Sequence, residues 1–519
     1  MRAALLLLLA ANPFIEEGQV PEAGDFFTIP FTVPAGTVEL EVRHDDLSGS
    51  NILDWGVLQP DGTFRGWGGG NVEPAIVGST ASSRSYLTGP MPEGTWRVLV
   101  GKAFVPQTPA KYRVEIETRA VSTLPAQPRS PYVAGAPLST ERRWYAGDLH
   151  VHSLQSGDAR PTLDEIAAVA ESRGLDFVAI SDHNTVAQLD FFNDVQPRHP
   201  SMLLVPSVEF TTYAGHLGGF GATRFVPFWV GFEGVTLEGA LADFAAQSAV
   251  PVINHPTLDL GTFCIGCAWE HPLPSGFRGA LEVGVGGYDE TGVLFDPAAL
   301  TWWEALADRG IHLAAVGGSD DHKAGVGSNQ TQSTIGSPTT LIHADGLSPA
   351  ALSTALGEAR TVVKLRGPDD PMVKLTHGAA LERKLDQLVG STAAVTAEVT
   401  GGEGFTLAWV ENGNVVREVD ITSDPFTARH EFSAPEGQSA RLRAEVRKSG
   451  TPRTVTSHLW LAAEFPPPPP VQSNAAKPAG CLGCGSAGGS GLLALVLLAL
   501  RLGLRPRAVR AERVEGPAL

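Results

Sequence analysis

The middle of the chain contains a series of uninterrupted apolar runs, and this feature constrains the fold more than any other. A strand that is buried on both faces reads as a continuous apolar run rather than as an alternating one. Helix signals lie between the runs: Thr162 and Glu165 form a capping box, and Gly174 follows the helix that they open. The apolar runs are residues 176–180, 203–206, 250–253, 280–283 and 311–316. Strands that alternate with helices predict parallel pairing and an α/β barrel.

Polar residues end these runs, on the carboxyl-terminal side of each predicted strand. Burial of charged groups is costly unless they are paired or bind metal, so folding alone does not account for this pattern. Because parallel barrel strands bring their carboxyl ends to one face, side chains far apart in sequence meet there. The motifs are D-L-H-V-H-S at 148–153, S-D-H-N at 181–184, Glu209 with His216 just beyond, N-H-P at 254–256, and G-S-D-D-H at 318–322. We therefore predict one site built from all of these strand ends.

The residue types in these motifs suit divalent metal ions. His150 and His152 are two residues apart on a strand, so both imidazoles point to the same side. Glu209 can bridge two ions through its two carboxylate oxygens, and Asp320 with His322 repeats the spacing of two. Imidazole with carboxylate suits Zn, Mn or Fe, among which the sequence does not choose. Two or three such ions lower the pKa of a bridging water, and the resulting hydroxide attacks an ester without a serine or cysteine nucleophile.

Together, the motifs D-L-H-V-H-S, S-D-H-N, N-H-P and G-S-D-D-H resemble the signature of the polymerase-and-histidinol-phosphatase (PHP) superfamily. The resemblance covers residues 143–345. It implies a distorted (βα)7-type barrel of about seven strands that holds a trinuclear metal site. A β domain on either side of such a barrel resembles the branch of exported metallohydrolases that includes carbaryl-type carbamate hydrolases.

Carried over position by position, the PHP resemblance implies a ligand set for each ion. Where the family often reads S-D-G, this chain has Ser156-Gly157-Asp158, so Asp158 takes the place of the family's aspartate. Glu282 interrupts the apolar run 280–283 and is interpreted as a wall residue. Glu209, Asp320 and His322 are also predicted to be catalytic. The implied sets are His150, His152, Glu209 and Asp320 for one ion; Glu209, His216 and His255 for a second; and Asp158, His183 and His322 for a third.

Short alternating segments flank the central region. Residues 27–33 and 96–100 alternate before it, and residues 393–399 and 440–446 do so after it. Regular short strands with Gly and Pro between them predict β-sandwiches. The predicted domains are a signal peptide and lead-in at 1–23, a β-sandwich at 24–120, a linker at 121–142, the PHP barrel at 143–364, an immunoglobulin-like sandwich at 365–463, and a Pro-rich spacer with a C-terminal tail at 464–519.

The sequences at both ends of the chain predict that the protein is exported to the cell surface, the outer membrane or the medium. Met1 and Arg2 precede an apolar run that resembles a short signal peptide. After the polyproline spacer at 466–470, the C-L-G-C-G motif, the apolar run 492–500 and several arginines resemble the C-terminal sorting tails of myxobacterial surface proteins. The apolar run is shorter than the roughly 20 residues that span a bilayer. The resemblance implies that this tail contacts a membrane or a sorting machinery.

Three functions remain open at this stage. The superfamily resemblance favours hydrolysis of a phosphoester, whereas the domain arrangement favours a carbamate or carboxylic ester. Arg224 and Lys323 lie near the predicted mouth and are candidates for contact with an anionic substrate. A non-catalytic surface binding protein is the third reading. The formal net charge of −18 argues against nucleic acid as a partner, so a small-molecule ester is the expected substrate.

The four cysteines are too few for a disulfide scaffold. Cys264 and Cys267 form a C-I-G-C loop after His255, which places them at the rim of the predicted site. A single C-X-X-C pair lacks the second ligand pair of a structural zinc site. We therefore expect a disulfide or free thiols at this loop.

Overall fold

A computed structural model describes residues 13–465 of the chain, apart from 275, 287, 290–291, 294–295, 328–332, 379–382 and 385. The predicted signal peptide up to residue 12 and the predicted spacer and tail from Pro466 onward lie outside the described residues. Among the helices that the structure describes, none has the length and apolar character that a membrane crossing requires.

The N-terminal part of the chain is built from antiparallel strands. Within the described residues they pair into two sheets, in the orders β1-β8-β3-β6 and β2-β7-β4-β5. Alternation along β8, where every second side chain is buried, produces one face toward the core between the sheets. The strands are β1 (Phe14–Gln19), β2 (Phe26–Val33), β3 (Glu39–Asp45), β4 (Ile52–Leu58), β5 (Phe64–Gly69), β6 (Ala75–Gly78), β7 (Gly94–Phe104) and β8 (Lys111–Arg119).

The central part contains the helices and the apolar strands. Thr162 and Glu165 make both hydrogen bonds of the predicted capping box at the start of the first helix. The helices are α1 (Leu163–Ser172), α2 (Leu189–Val195), α3 (Leu237–Ala245), α4 (Asp296–Asp308) and α5 (Pro349–Gly357). The strands are β9 (Arg143–Val151), β10 (Phe177–Ile180), β11 (Leu203–Pro206), β12 (Glu209–Thr212), β13 (Gly215–Phe220), β14 (Val250–Ile253), β15 (Gly279–Val285), β16 (Tyr288–Asp289), β17 (Gly292–Val293), β18 (Leu313–Gly318), β19 (Thr339–Ala344) and β20 (Thr361–Lys364).

The central strands confirm the mixed α/β class, but their pairing is not all parallel. The pairs β9–β10–β11 and β14–β15–β18 are parallel, as a fully buried strand such as β10 predicts. In the described residues these strands lie in two sheets, which two isolated bridges join, Val151 to Asp321 and His183 to Glu209. Closure into a (βα)7-type barrel therefore stays a prediction.

The placement of Glu209 at the end of the apolar run 203–206 was wrong. That strand, β11, ends at Pro206, and Glu209 begins a separate strand, β12, which pairs antiparallel with β13. Gly215 has a φ of 144°, a backbone conformation that glycine adopts readily, and it closes the tight turn between β12 and β13. The antiparallel pairing of β12 with β13 brings Glu209 and His216 close together.

The C-terminal part is β-rich and shares a sheet with the central part. Strand β20 pairs antiparallel with β29, so hydrogen bonding continues from the central strands into this part. A second sheet in the order β21-β24-β27 covers one face, and Trp409 and Val395 are buried between the layers. The strands are β21 (Met372–His377), β22 (Arg383–Lys384), β23 (Gln387–Val389), β24 (Thr392–Thr400), β25 (Thr406–Glu411), β26 (Asn414–Asp420), β27 (Phe426–Ser433), β28 (Ala440–Lys448), β29 (Thr451–Thr456) and β30 (Leu459–Ala462).

The N-terminal sheets pack directly on the central part. Phe26 and Trp67 from β2 and β5 belong to the same apolar cluster as Phe228, with the Trp67 and Phe228 ring centroids 4.7 Å apart. The same cluster continues through β15 to Val455 in β29. Because apolar contact is continuous across the predicted boundaries, the division of the chain into separate domains remains a prediction.

Candidate metal centre

His150 and His152 occupy one side of the end of β9. Val151 lies between them and points to the opposite face, where it joins the apolar cluster around α1. Both imidazoles are buried, and their Nε2 atoms are 3.1 Å apart. The period of two along a strand therefore brings two ring nitrogens to one point, as the sequence predicts.

Glu209 lies at the centre of the site, with no exposed surface. Its Oε1 is 3.3 Å from His150 Nε2, 3.2 Å from His216 Nδ1 and 3.0 Å from His255 Nε2. Its Oε2 is 2.9 Å from His183 Nδ1. One carboxylate thus faces imidazoles from four separate segments of the chain.

The structure brings the nine predicted ligands together in groups that could hold metal ions, although the groups differ from the predicted sets. Within each set, one nitrogen, oxygen or sulfur atom per residue lies within 4.8 Å of all the others. The sets are His150, His152, Glu209 and Asp320; His152, Asp158, His183 and His322; and His216, His255 and Cys267. We refer to the nine predicted ligands in these sets as the metal centre. Their role as ligands stays a prediction, because proximity alone does not show binding.

Two buried carboxylate oxygens of the metal centre indicate that its residues fit a cation. Glu209 Oε2 and Asp320 Oδ1 are buried, and neither accepts a well-directed hydrogen bond from the described residues. A buried anionic oxygen without a donor is costly. The Nε2 atoms of His150 and His152 both lie close to Asp320 Oδ1, at 3.2 and 3.1 Å. Lone pairs that converge in this way fit a divalent cation among them.

Electrostatics within the metal centre hold the carboxylates ionised. Burial raises the pKa of Glu209, but the positive charges of His150, His183 and His216 outweigh it and hold that pKa well below its usual range. Burial, together with the charges of His322 and His183, lowers the pKa of His152 to about 3. The carboxylates Glu209 and Asp320 outweigh burial at His150 and raise its pKa well above the usual value. A metal ion binds the neutral imidazole, so binding would displace a proton from such a ring.

A second layer of hydrogen bonds fixes the orientation of the ligands. Glu282 Oε1 lies 3.0 Å from His150 Nδ1, and its Oε2 accepts the backbone N–H of His255 at 2.7 Å. Ser156 Oγ lies 2.9 Å from His152 Nδ1, and Thr211 Oγ1 lies 2.7 Å from His183 Nδ1. Such partners select which ring nitrogen carries the proton and which is free for a metal ion. Glu282 is therefore a positioning residue rather than a plain part of the wall.

Asp148, at the start of the D-L-H-V-H-S motif, organises the backbone beneath the metal centre. Its carboxylate accepts the backbone N–H groups of His150 at 3.0 Å, Ser319 at 3.0 Å and Gly336 at 2.7 Å. Burial nonetheless raises the pKa of Asp148 to about 6. The sequence analysis assigned no role to this residue, although its place in the motif was a signal.

Two predicted ligands of the metal centre have a strained backbone conformation. His255 has a φ of 27° and Asp320 a φ of 54°, a region that side chains other than glycine rarely adopt. Strain of this kind persists only where surrounding contacts impose it, and it concentrates at functional sites. For Asp320 those contacts include its own N–H, which donates to the His150 carbonyl at 2.9 Å.

Asp158 lies at the outer edge, on a loop that the N-terminal sheets hold in place. Its Oδ2 is 3.3 Å from both His183 Nε2 and His322 Nε2, and its side chain is 54% exposed. Asn71 donates to the Gly157 carbonyl at 3.1 Å, and Arg84 donates to the Ala159 carbonyl at 3.0 Å. Residues on both sides of Asp158 are thus fixed by the N-terminal part of the chain. The sequence placed Asp158 in the site but did not reveal this support.

The metal centre forms the floor of a cavity of about 450 Å³. Among the described residues, no lysine or arginine lines it. Arg224 is exposed and lies outside this lining, as does Lys323. The suggested contact of these two side chains with an anionic substrate therefore has no support in the cavity. The walls come from the N-terminal strands and the loop after His255, and they include Ile52, Asp54, Tyr213, Leu260, Phe263 and Ile265.

The C-I-G-C loop forms part of this wall. Cys264 and Cys267 are joined by a disulfide, one of the two expected states. The Cys267 sulfur lies close to the ring nitrogens of His216 and His255. Only a thiolate binds metal well, so the disulfide form of Cys267 does not add a ligand.

Comparison with known proteins was made at three levels. No family model matches the chain. A protein of Syntrophotalea carbinolica described as a phosphatase is 64% identical over 36 residues, which are 7% of this chain. The chain thus spans 15% of the length of that relative.

Two solved structures that are similar to the chain are described as metal-dependent phosphoesterases. A two-domain protein of Bacteroides vulgatus that contains a PHP-like metal-dependent phosphoesterase matches with 18% identity and a TM-score of 0.32, over 64% of this chain and 100% of that one. A metal-dependent phosphoesterase of Bifidobacterium adolescentis matches with 15% identity and a TM-score of 0.25, over 36% of this chain and 91% of that one. PHP-like metal-dependent phosphoesterases are thus among the structural neighbours of this protein.

Proposed function

We propose that this protein is a metal-dependent hydrolase that acts on phosphoesters. The observation that carries the proposal is the environment of Glu209, a buried carboxylate that imidazoles of His150, His183, His216 and His255 surround within hydrogen-bond distance or close to it. Structural packing does not require four imidazoles around one carboxylate. Divalent ions bound there would supply an activated water at neutral pH and positive charge for the oxygen charge that develops in the reaction.

We assign a distinct role to each group of residues in the site. Glu209 and Asp320 hold negative charge at the cavity floor, where the histidines direct their free nitrogens. Glu282 keeps the His150 proton on Nδ1, so that Nε2 stays available. Asp158, His183 and His322 lie at the open edge, where an ester oxygen of the substrate would arrive. The choice of phosphoester follows the resemblance of the sequence motifs to the PHP superfamily.

A carbamate or carboxylic ester is the second candidate substrate, and one observation favours it. A pocket for phosphate monoesters normally directs arginine or lysine side chains at the phosphate oxygens. The cavity has no such side chain among the described residues, and Leu258, Leu260, Phe263 and Ile265 supply apolar wall instead. The reaction at the metal centre would be the same for either ester.

The experiment compares hydrolysis of three chromogenic esters, each with Zn, Mn or Fe added. These are para-nitrophenyl phosphate, bis(para-nitrophenyl) phosphate and para-nitrophenyl acetate. The test variant is His150→Ala/His152→Ala, and His199→Ala is the control because His199 lies on Asp164 and Glu171, away from the metal centre. Phosphoester cleavage that the double variant loses and His199→Ala keeps would support the proposal. Cleavage of the acetate alone would favour the second candidate. No turnover with any metal would leave a surface binding protein as the better account.

We also propose that the protein is exported. The proposal is supported by the predicted signal peptide and sorting tail and by the disulfide between Cys264 and Cys267, since stable disulfides are rare in reducing compartments. The test is fractionation of the source cells, with an antibody against the N-terminal sandwich. Recovery of the protein in the cytoplasmic fraction would contradict export.

A further inference from the structure

One side chain from the N-terminal sheets, Asp54, enters the wall of the cavity that contains the metal centre. Asp54 lies on β4, and its Oδ2 accepts a hydrogen bond of 2.8 Å from the hydroxyl of Tyr213, in the turn between β12 and β13. The Tyr213 ring stacks on Phe26, with centroids 5.3 Å apart and planes 14° apart. Gly101, which pairs with Asp54 across the sheet, leaves the space that the hydroxyl occupies. Asp54 is therefore held in a defined position by contacts from both parts of the chain.

The second oxygen of Asp54 is available to a ligand. Among the described residues, Tyr213 is the hydrogen-bond donor to Asp54, and no lysine, arginine or histidine makes an ion pair with it. The side chain is half-buried and faces the cavity. Burial raises the pKa of Asp54 to about 6, although the Tyr213 hydrogen bond and the positive charge of His183 act to lower it, so the carboxylate is ionised at pH 8.

A bound metal ion would not offset the charge of Asp54, unlike the charges of the other acids in the cavity. Asp158, Glu209 and Asp320 belong to the metal centre, so bound cations would offset their charges. Asp54 lies outside those sets and keeps its charge. With no lysine or arginine in the described lining, Asp54 gives its part of the cavity wall a negative charge. Such a wall attracts a positive group and repels a second anionic one.

We propose that Asp54 is a specificity-determining residue that selects ester substrates carrying an ammonium or other cationic group on the part of the molecule that points away from the metal centre. This inference rests on the proposed hydrolase function and names its substrate class. Phe263, which is 95% exposed, and Leu260 line the same cavity as Asp54 and provide aromatic and apolar surface. Aromatic faces stabilise quaternary ammonium groups.

The kinetic test uses two phosphodiesters that share a chromophore and a phosphoryl charge. Para-nitrophenyl phosphorylcholine carries a quaternary ammonium, and ethyl para-nitrophenyl phosphate does not. We expect the wild type to prefer the first about tenfold or more in kcat/KM, as an ion pair of moderate strength provides. Asp54→Asn keeps the acceptor for Tyr213 and removes the charge, so the preference should fall about tenfold. Asp61→Asn, in the exposed turn after β4, is the matched control and should keep the preference.

A binding test separates this inference from the proposed function. Calorimetry compares choline with its uncharged isostere 3,3-dimethylbutan-1-ol on the same proteins. Choline binding that depends on Asp54, without hydrolysis of either diester, would support a cation site at Asp54 and contradict the proposed phosphoester hydrolysis. Hydrolysis with no preference for the choline ester, or a preference that Asp54→Asn retains, would overturn the inference and leave the hydrolase proposal standing. An equal loss on both diesters would also overturn it. If Asp54→Asn lowers the thermal midpoint, Asp54→Ser replaces it, with the same expected results.

Discussion

Replacing Glu282 by glutamine tests whether the second layer of hydrogen bonds prepares the metal centre. Glu282 is 1% exposed, and its two oxygens serve His150 Nδ1 at 3.0 Å and the His255 N–H at 2.7 Å. Glutamine has nearly the same volume but one acceptor oxygen. If that oxygen keeps the His255 N–H, the amide NH₂ faces His150 Nδ1, which must then become an acceptor. The ring proton moves to Nε2, the atom that faces Glu209 and Asp320.

Loss of such a partner typically weakens metal binding about 10- to 100-fold, or about 1.4–2.7 kcal/mol. We expect this range for Glu282→Gln, measured as the Zn affinity of the metal-free protein in calorimetric competition with a chelator. Glu39→Gln is the matched control, because Glu39 is equally buried but holds Arg119 and Thr123 in the N-terminal sheets. Unchanged Zn affinity in a folded Glu282→Gln protein would refute the assigned role of Glu282.

Three further predictions concern stability, each measured as a thermal midpoint. Gly101→Ala should lower the midpoint by an amount equivalent to about 1–3 kcal/mol, because the added Cβ would overlap the Tyr213 hydroxyl. The control Gly49→Ala has open space around its Cβ and should keep the wild-type midpoint. Equal midpoints for the two variants would contradict the contact between Gly101 and Tyr213. Burial lowers the pKa of His44 to about 4. The neutral His44 ring therefore makes its full contribution to the free energy of unfolding above about pH 6.5. This contribution is lost toward pH 4, at up to about 1.4 kcal/mol per pH unit. His44→Phe, which keeps the ring that stacks on Trp55, should therefore show a smaller fall between pH 7.5 and 5.5, and an identical fall would contradict this. Removing metal with a chelator should lower the midpoint, since an ion at 100 times its Kd stabilises by about 2.7 kcal/mol, and no change would argue against a resident ion.

Local rules in the sequence predicted the parts of the site that depend on short spacing. His150 and His152 share a face because a strand has a period of two, and the helix that begins after Thr162 follows from its capping box. The run at 177–180 is buried on both faces, as its continuous apolar character predicts. These features need no knowledge of distant residues.

Features that depend on distant contacts were not predictable in the same way. Asp54 and Tyr213 are 159 residues apart, and neither lies in a motif. The hairpin that carries Glu209 resembles a strand end in sequence, because β12 follows β11 after two residues. Glu282 reads as an isolated charge in an apolar strand, and only its contacts with His150 and His255 reveal its task. The packing of the N-terminal sheets on the loop around Asp158 likewise leaves no local pattern.

The central claim is that the histidines and carboxylates around Glu209 hold catalytic metal ions, and metal content tests it most directly. Elemental analysis would compare wild type with Glu209→Gln, both produced in medium supplemented with Zn, Mn and Fe. Because Glu209 faces imidazoles of every set, the account predicts about two or three bound ions per wild-type chain and a clear loss in the variant. Metal-free wild type, or a Glu209→Gln protein with its full metal content, would contradict it.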